Sequence, residues 1–255
     1  MKSSPTAVAS PAPALDQGAV AALREYPGAD AAAAALAAEV AARLGAALAS
    51  AGTASLVVSG GRSPIAFFHT LSAAPLDWAR VTVTLADERW VDPGAEASNE
   101  RVLREHLLRG PGAAARLLPL KSATATPEAA LAERSTALAE VLRGADVLVL
   151  GMGHDGHTAS LFPDADGIEA ALDPRAAPAL VAMHPTLAPH ARISMNLAAL
   201  VAARHAVLLL GGATKREVLA RACPPGTLAA LPPGALPIAA VWHHRRGALD
   251  IVWSN

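Results

Sequence analysis

The sequence predicts a three-layer α/β domain with a mostly parallel sheet and helices on both faces. Three observations lead there. Short, apolar, β-rich runs alternate with longer segments of helical periodicity. Several runs end in a glycine turn from which a helix starts. The polar residues able to do chemistry fall at those run ends. Strands buried on both faces read as continuous apolar runs, and alternation with helices is the mark of parallel crossovers. In such sheets the ligand sits beyond the carboxyl ends of the strands.

The elements follow in order. Residues 1–20 are rich in Ser, Pro and Ala and read as a disordered tail, leaving one domain over 21–255. A helix is expected over 30–49, where Leu36, Val40, Leu44 and Leu48 recur at every fourth position before Gly52. The run 54–59 is the first strand. It ends in Ser59-Gly60-Gly61-Arg62-Ser63-Pro64, and a helix begins at Ile65 with Ser63 as candidate cap and Pro64 in the first turn. A second strand, 81–85, leads into Asp87-Glu88-Arg89, and a polar loop carries the chain to a helix near 99–109. Thr126 and Pro127 open a helix over 127–143 that Gly144 ends. The buried-type strand 146–150 runs into Gly151-Met152-Gly153-His154-Asp155-Gly156-His157, with a further helix expected to start at Thr158. Strands are expected at 179–183, 192–196, 206–210, 237–242 and 249–253, and a helix at 214–222 after Gly211-Gly212.

Composition narrows the function classes. The chain has 255 residues, 53% of them apolar and 17% charged, with a formal net charge of −1. A long disordered chain and a nucleic-acid coat are both disfavoured. The 18 Arg outnumber 3 Lys, and 64 Ala weaken any helix assignment resting on alanine alone. Cys223, the single cysteine, excludes an intrachain disulfide framework and a multi-cysteine metal cluster. With neither a signal-peptide pattern nor a long charge-free apolar stretch of large residues, a soluble cytoplasmic protein is expected, without membrane or nucleic-acid partners, as a monomer or weak homodimer.

The turn at 59–64 suits a phosphate, because glycines admit close backbone approach and the N–H groups opening a helix are free to donate. It lacks the Gly-Lys-Ser/Thr ending of a nucleotide P-loop. The 151–157 turn fits G-x-G-x-x-G, yet no β-run precedes any of the acids at 164–173 that would have to hold a ribose, so a dinucleotide is disfavoured. His157 can take and return a proton near neutral pH, and Asp155 stands two residues away to orient it. A metal held by His154, Asp155 and His157 is disfavoured because the three are crowded in sequence. Lys215, a rare lysine at a helix start, opposes the helix dipole, a conflict that a bound anion would relieve; ordinary solvent exposure is the alternative reading.

These motifs together resemble the 6-phosphogluconolactonase family. The resemblance rests on Ser59–Pro64, on Asp87-Glu88-Arg89 with Ser98-Asn99, on the run Gly151 to Pro163, on Arg192-Ile-Ser-Met, and on Gly212-Ala-Thr-Lys215. It implies a doubly wound α/β fold, a phosphorylated sugar lactone as substrate and no cofactor. It implies phosphate binding by Gly60, Gly61, Arg62, Ser63, Arg192 and Lys215, a general base in His157, and an oxyanion contact in Arg89. Asp87 and Asp155 match acids that related deaminases use for proton transfer, and are expected here to orient. The competing activities are deamination or isomerisation of an amino-sugar phosphate, and non-catalytic sensing of a sugar phosphate. No acid follows His157 until Asp164, and residues 1–29 are short for a DNA-binding segment.

Overall fold

The computed structural model describes residues 23–223, 235–245 and 249–255; the expected tail, 1–20, lies outside them. The chain opens with β1 (Leu23–Tyr26) and α1 (Ala29–Ala51). The predicted stripe of α1 is its buried face: Leu36, Val40 and Leu44 are fully enclosed, and Gly52 ends the helix with its N–H on the Leu48 carbonyl at 3.0 Å. By length and composition α1 could cross a membrane, but that stripe packs into the core, and Glu39 pairs with Arg24 and Arg43 midway along it.

Next come β2 (Ala54–Val58), α2 (Ile65–Ser72), β3 (Val81–Leu85), β4 (Asp87–Arg89) and α3 (Asn99–His106). They are followed by β5 (Arg116–Leu117), α4 (Pro127–Ala137), α5 (Ala139–Gly144), β6 (Val147–Leu150) and α6 (Ile168–Ala171). The chain closes with β7 (Leu180–Met183), β8 (Arg192–Met195), α7 (Leu197–Ala202), β9 (His205–Gly211), α8 (Ala213–Ala222), α9 (Pro237–His244) and β10 (Leu249–Ser254).

Seven strands form a parallel sheet in the order β1-β10-β9-β6-β2-β3-β5. From β2 the chain steps outward to β3 and β5; from β6 it steps the other way to β9 and β10. Right-handed crossovers in opposite directions place their helices on opposite faces. The reversal falls between β2 and β6, which pair through Leu56↔Val147 and Val58↔Val149. Doubly wound sheets bind ligands at this point, and the chain leaves it through the 59–64 and 151–157 turns.

Four sequence expectations are corrected. The 237–242 run is a helix, α9: Pro237 sits at its first position, and an apolar run buried all round has no periodicity to separate helix from strand. The strands at 179–183 and 192–196 do not join the parallel sheet; β7 and β8 make a three-stranded antiparallel sheet with β4. The long helix at 127–143 is interrupted at Leu138, giving α4 and α5, and the one near 99–109 ends at His106. No helix starts at Thr158: Thr158 and Leu161 form a bridge around Ala159, whose φ of 49° is left-handed, and the Thr158 hydroxyl donates to the Gly151 carbonyl at 2.8 Å.

Candidate active site

The carboxyl ends of β2, β3 and β6, with β8 and the start of α8, surround a cleft of about 460 Å³. Gly60, Gly61, Arg62, Ser63, Asp87, Arg89, His157, Arg192 and Lys215 all line it. Asp155 does not line it but holds a residue that does. Nine of the ten residues expected from sequence thus meet in one place, and the tenth stands behind His157.

The first wall is the turn after β2. Ser59 is tied to β6 by its N–H on the Val149 carbonyl at 2.9 Å. Gly60 has to be glycine: a Cβ there would stand 2.3 Å from the Asn99 carboxamide. Arg62 and Ser63 are exposed at the rim, and the α2 cap is Pro64 rather than Ser63, which makes no side-chain capping bond.

The second wall is β4 against β8. Asp87 and Glu88 are buried, and each has its partners. Glu88 accepts the N–H groups of Arg89, Asn99 and Glu100 at 2.7, 2.8 and 2.7 Å, and the Ser98 hydroxyl at 3.1 Å. Burial pushes its carboxyl above the ordinary range, while those amide bonds pull it back. Asp87 accepts the buried Ser160 hydroxyl at 2.5 Å, and the Asn99 amide donates to the Asp87 carbonyl at 3.0 Å. Arg89 and Arg192 are directly opposed residues of the antiparallel pair. Like charges so placed repel, and burial together with the Arg89 charge lowers the Arg192 pKa, with Asp87 and Glu88 opposing. Arg89 donates to the Ala97 carbonyl at 2.6 Å and Arg192 to that of Pro189 at 3.1 Å, but neither forms a direct ion pair among the described residues.

The third wall follows β6. His157 Nδ1 lies 2.5 Å from Asp155 Oδ1, and the His157 backbone N–H donates to the same oxygen at 3.2 Å. A carboxylate can only accept, so Nδ1 is the nitrogen that donates to Asp155, and Nε2 is the other ring nitrogen of a residue that lines the cleft. Gly153 makes room for the dyad, since a Cβ there would stand 2.2 Å from the imidazole. His154 is exposed and away from the cleft lining.

Lys215 closes the fourth side from the first turn of α8. It is half-buried, and burial lowers its pKa. No ion pair engages it among the described residues. Gly212, the preceding cap, is fixed by its N–H on the Ser254 carbonyl at 2.9 Å and by the Trp253 indole on its own carbonyl at 3.1 Å.

Sequence reasoning did not assign roles to Asn99, Ser59 and Phe162, which also line the cleft. Asn99 and Phe162 stand inside the quoted motifs, but only tertiary contact shows what they touch. Among the described residues, Ser59 Oγ, Arg89 Nε and Asn99 Oδ1 find no hydrogen-bond partner.

A doubly wound sheet whose strand ends bring a histidine–carboxylate dyad and three cations to one small cleft defines the class, an α/β enzyme. The chain belongs to the family of glucosamine-6-phosphate isomerases and 6-phosphogluconolactonase, whose model matches residues 27–253. It is 49% identical over 184 residues to a 6-phosphogluconolactonase of Pseudomonas aeruginosa, covering 72% of this chain and 77% of that one. To a 6-phosphogluconolactonase of Rhizobium meliloti it is 44% identical over 220 residues, 86% and 93% of the two chains. The crystal structure of a 6-phosphogluconolactonase from Shewanella baltica superposes with a TM-score of 0.86 at 39% identity, over 95% of this chain and all of that one.

Proposed function

We propose that the protein hydrolyses 6-phospho-D-glucono-1,5-lactone to 6-phospho-D-gluconate, in the oxidative pentose phosphate pathway of the cytoplasm, with His157 as general base. The observation that carries the reading is the pairing of the Asp155–His157 dyad with Arg89, Arg192 and Lys215 around one cleft.

Asp155 holds Nδ1–H, so Nε2 accepts a proton from water as the water attacks C1 of the lactone. The tetrahedral oxyanion is met by Arg89. The ring oxygen leaves with the proton returned by the imidazolium of His157. The 60–63 turn, Arg192 and Lys215 hold the phosphate and orient C1 toward the base. Asp87, engaged by Ser160, orients and balances the arginine pair. No step calls for a metal or a nicotinamide.

Deamination of an amino-sugar phosphate fits less well. The first acid after His157 is Asp164, which is spent on the backbone N–H groups of Thr186 and Leu187 at 2.9 and 3.0 Å and on the Thr186 hydroxyl. The decisive experiment supplies freshly generated phosphorylated lactone and subtracts spontaneous opening, with parallel arms for chelator and for ammonia release from glucosamine 6-phosphate. Turnover that survives chelation, without ammonia release, is expected. Arg192→Ala and Lys215→Ala should each cost about 1.5–3 kcal/mol toward the phosphorylated lactone and less toward unphosphorylated gluconolactone. Equal losses on both substrates, or ammonia as the product, would overturn the reading.

A further inference from the structure

One aromatic ring touches both halves of the site. The His157 imidazole stacks on Phe162 with centroids 4.0 Å apart and planes inclined by 26°. The Arg192 guanidinium carbon lies 5.4 Å from the same ring's centroid. Phe162 is 6% exposed and lines the cleft. The chain between His157 and Phe162 accepts an unfavourable backbone to bring the ring there. Ala159 is left-handed, a region L residues avoid. Thr158 is bridged to Leu161, and the Ser160 N–H is pinned to the Ser194 hydroxyl at 3.2 Å.

We infer that Phe162 is a positioning residue that sets the plane of the His157 imidazole and couples it to the anion held at Arg192. The inference rests on the lactonase reading above. Asp155 holds one edge of the imidazole, and a single hydrogen bond leaves the ring free to swing. Face contact with Phe162 removes that freedom and keeps Nε2 toward the cleft. The π face also favours a cation. It therefore stabilises the imidazolium formed during attack more than the neutral base before it, which is a contribution to turnover rather than to affinity. Arg192 draws on the same ring. An anion that neutralises Arg192 leaves the ring's negative face to the imidazolium, so a phosphate held at Arg192 also steadies the charged form met during attack.

The test compares Phe162→Leu, which keeps apolar bulk without a π face, with Phe162→Tyr, which restores the face. Phe162→Leu should lower kcat about tenfold and raise KM about threefold, in line with a desolvated cation–π contact. Phe162→Tyr should stay within about threefold of the parent. A second readout needs no lactone. In the parent, the His157 ring protons should be shifted upfield by Phe162 and should respond to added inorganic phosphate in NMR spectra; in Phe162→Leu both effects should vanish. Phe162→Met replaces the leucine variant if that one does not fold. A kcat within twofold of the parent in Phe162→Leu, or an unchanged phosphate response, overturns the inference. Failure of the parent to hydrolyse the lactone overturns the function instead, and leaves the phosphate response to judge Phe162 alone.

Discussion

At the residue scale the proposed function assigns proton transfer and anion binding to different side chains, and the two should answer to different substitutions. His157→Asn keeps a polar group of similar size in contact with Asp155 but cannot take a proton from water. Positioned acid–base groups contribute about 10²–10⁴-fold, so kcat should drop by that range and KM should move little. Near-parent kcat, once spontaneous opening is subtracted, would pass the role of base to Asp87 or Asp155. On the same proposal, Lys215 should give the pH dependence of phosphate binding. Burial places its folded pKa below the ordinary 10.5, so its charge is lost earlier on the way up in pH, while a bound phosphate holds the proton on. Affinity for 6-phosphogluconate should therefore weaken as pH rises from neutral toward 10.5, with proton uptake on binding seen as a buffer-dependent enthalpy. The sign for stability is opposite. The unfolded chain binds that proton more tightly than the folded one, so this residue's contribution to stability grows as pH rises through the same window. In Lys215→Met the pH slope of affinity should disappear; persistence of the slope would assign it to another group.

At the element scale, the order of strands and helices was largely legible and the partners of the strands were not. The runs 54–59, 81–85, 146–150, 206–210 and 249–253 announce themselves because strands buried on both faces are rich in apolar and β-branched residues. Local composition does not say which strand lies beside which, so β7 and β8 were expected in the parallel sheet, whereas they pair antiparallel with β4. The 237–242 run was ambiguous for the reason given by its burial, and β1 is too short to stand out beside the tail. The site was more legible than the topology, because glycine turns and charges at strand ends mark it directly. What sequence did not reveal is contact: the stacking of Phe162 on His157, and Glu88 as the knot between β4 and α3. That knot is testable. Glu88 accepts from three N–H groups and one hydroxyl, and a glutamine offers one acceptor oxygen and turns an NH₂ toward donors. Unsatisfied buried groups cost about 1–3 kcal/mol each, so Glu88→Gln should lower unfolding free energy by about 2 kcal/mol or more in denaturant titrations. It should weaken turnover through the misplacement of Arg89. A neutral result would mean that α3 holds its start without β4.

At the scale of the whole molecule, the reversal between β2 and β6 places the cleft, and α8 runs from the cleft to the buried Cys223. Its first turn holds Lys215, and Cys223 follows its last residue, about 12 Å further along the axis. The Cys223 thiol is 3% exposed, and burial pushes its pKa up to about 12. Thiolate is the reactive form, so the folded protein should be inert to thiol reagents at neutral pH and should label only on opening. A ligand that binds the folded state alone reduces the open population by the factor 1 + [L]/Kd. At 100 times its Kd, 6-phosphogluconate should therefore slow labelling about 100-fold if exposing Cys223 requires α8 to leave the sheet with Lys215 attached. The same ligand should give no protection in Lys215→Met, where the anion's hold on the helix is removed. Labelling that ligand leaves unchanged in the parent would show that the end of α8 opens independently of the cleft. The two ends of the helix would then belong to separate cooperative units.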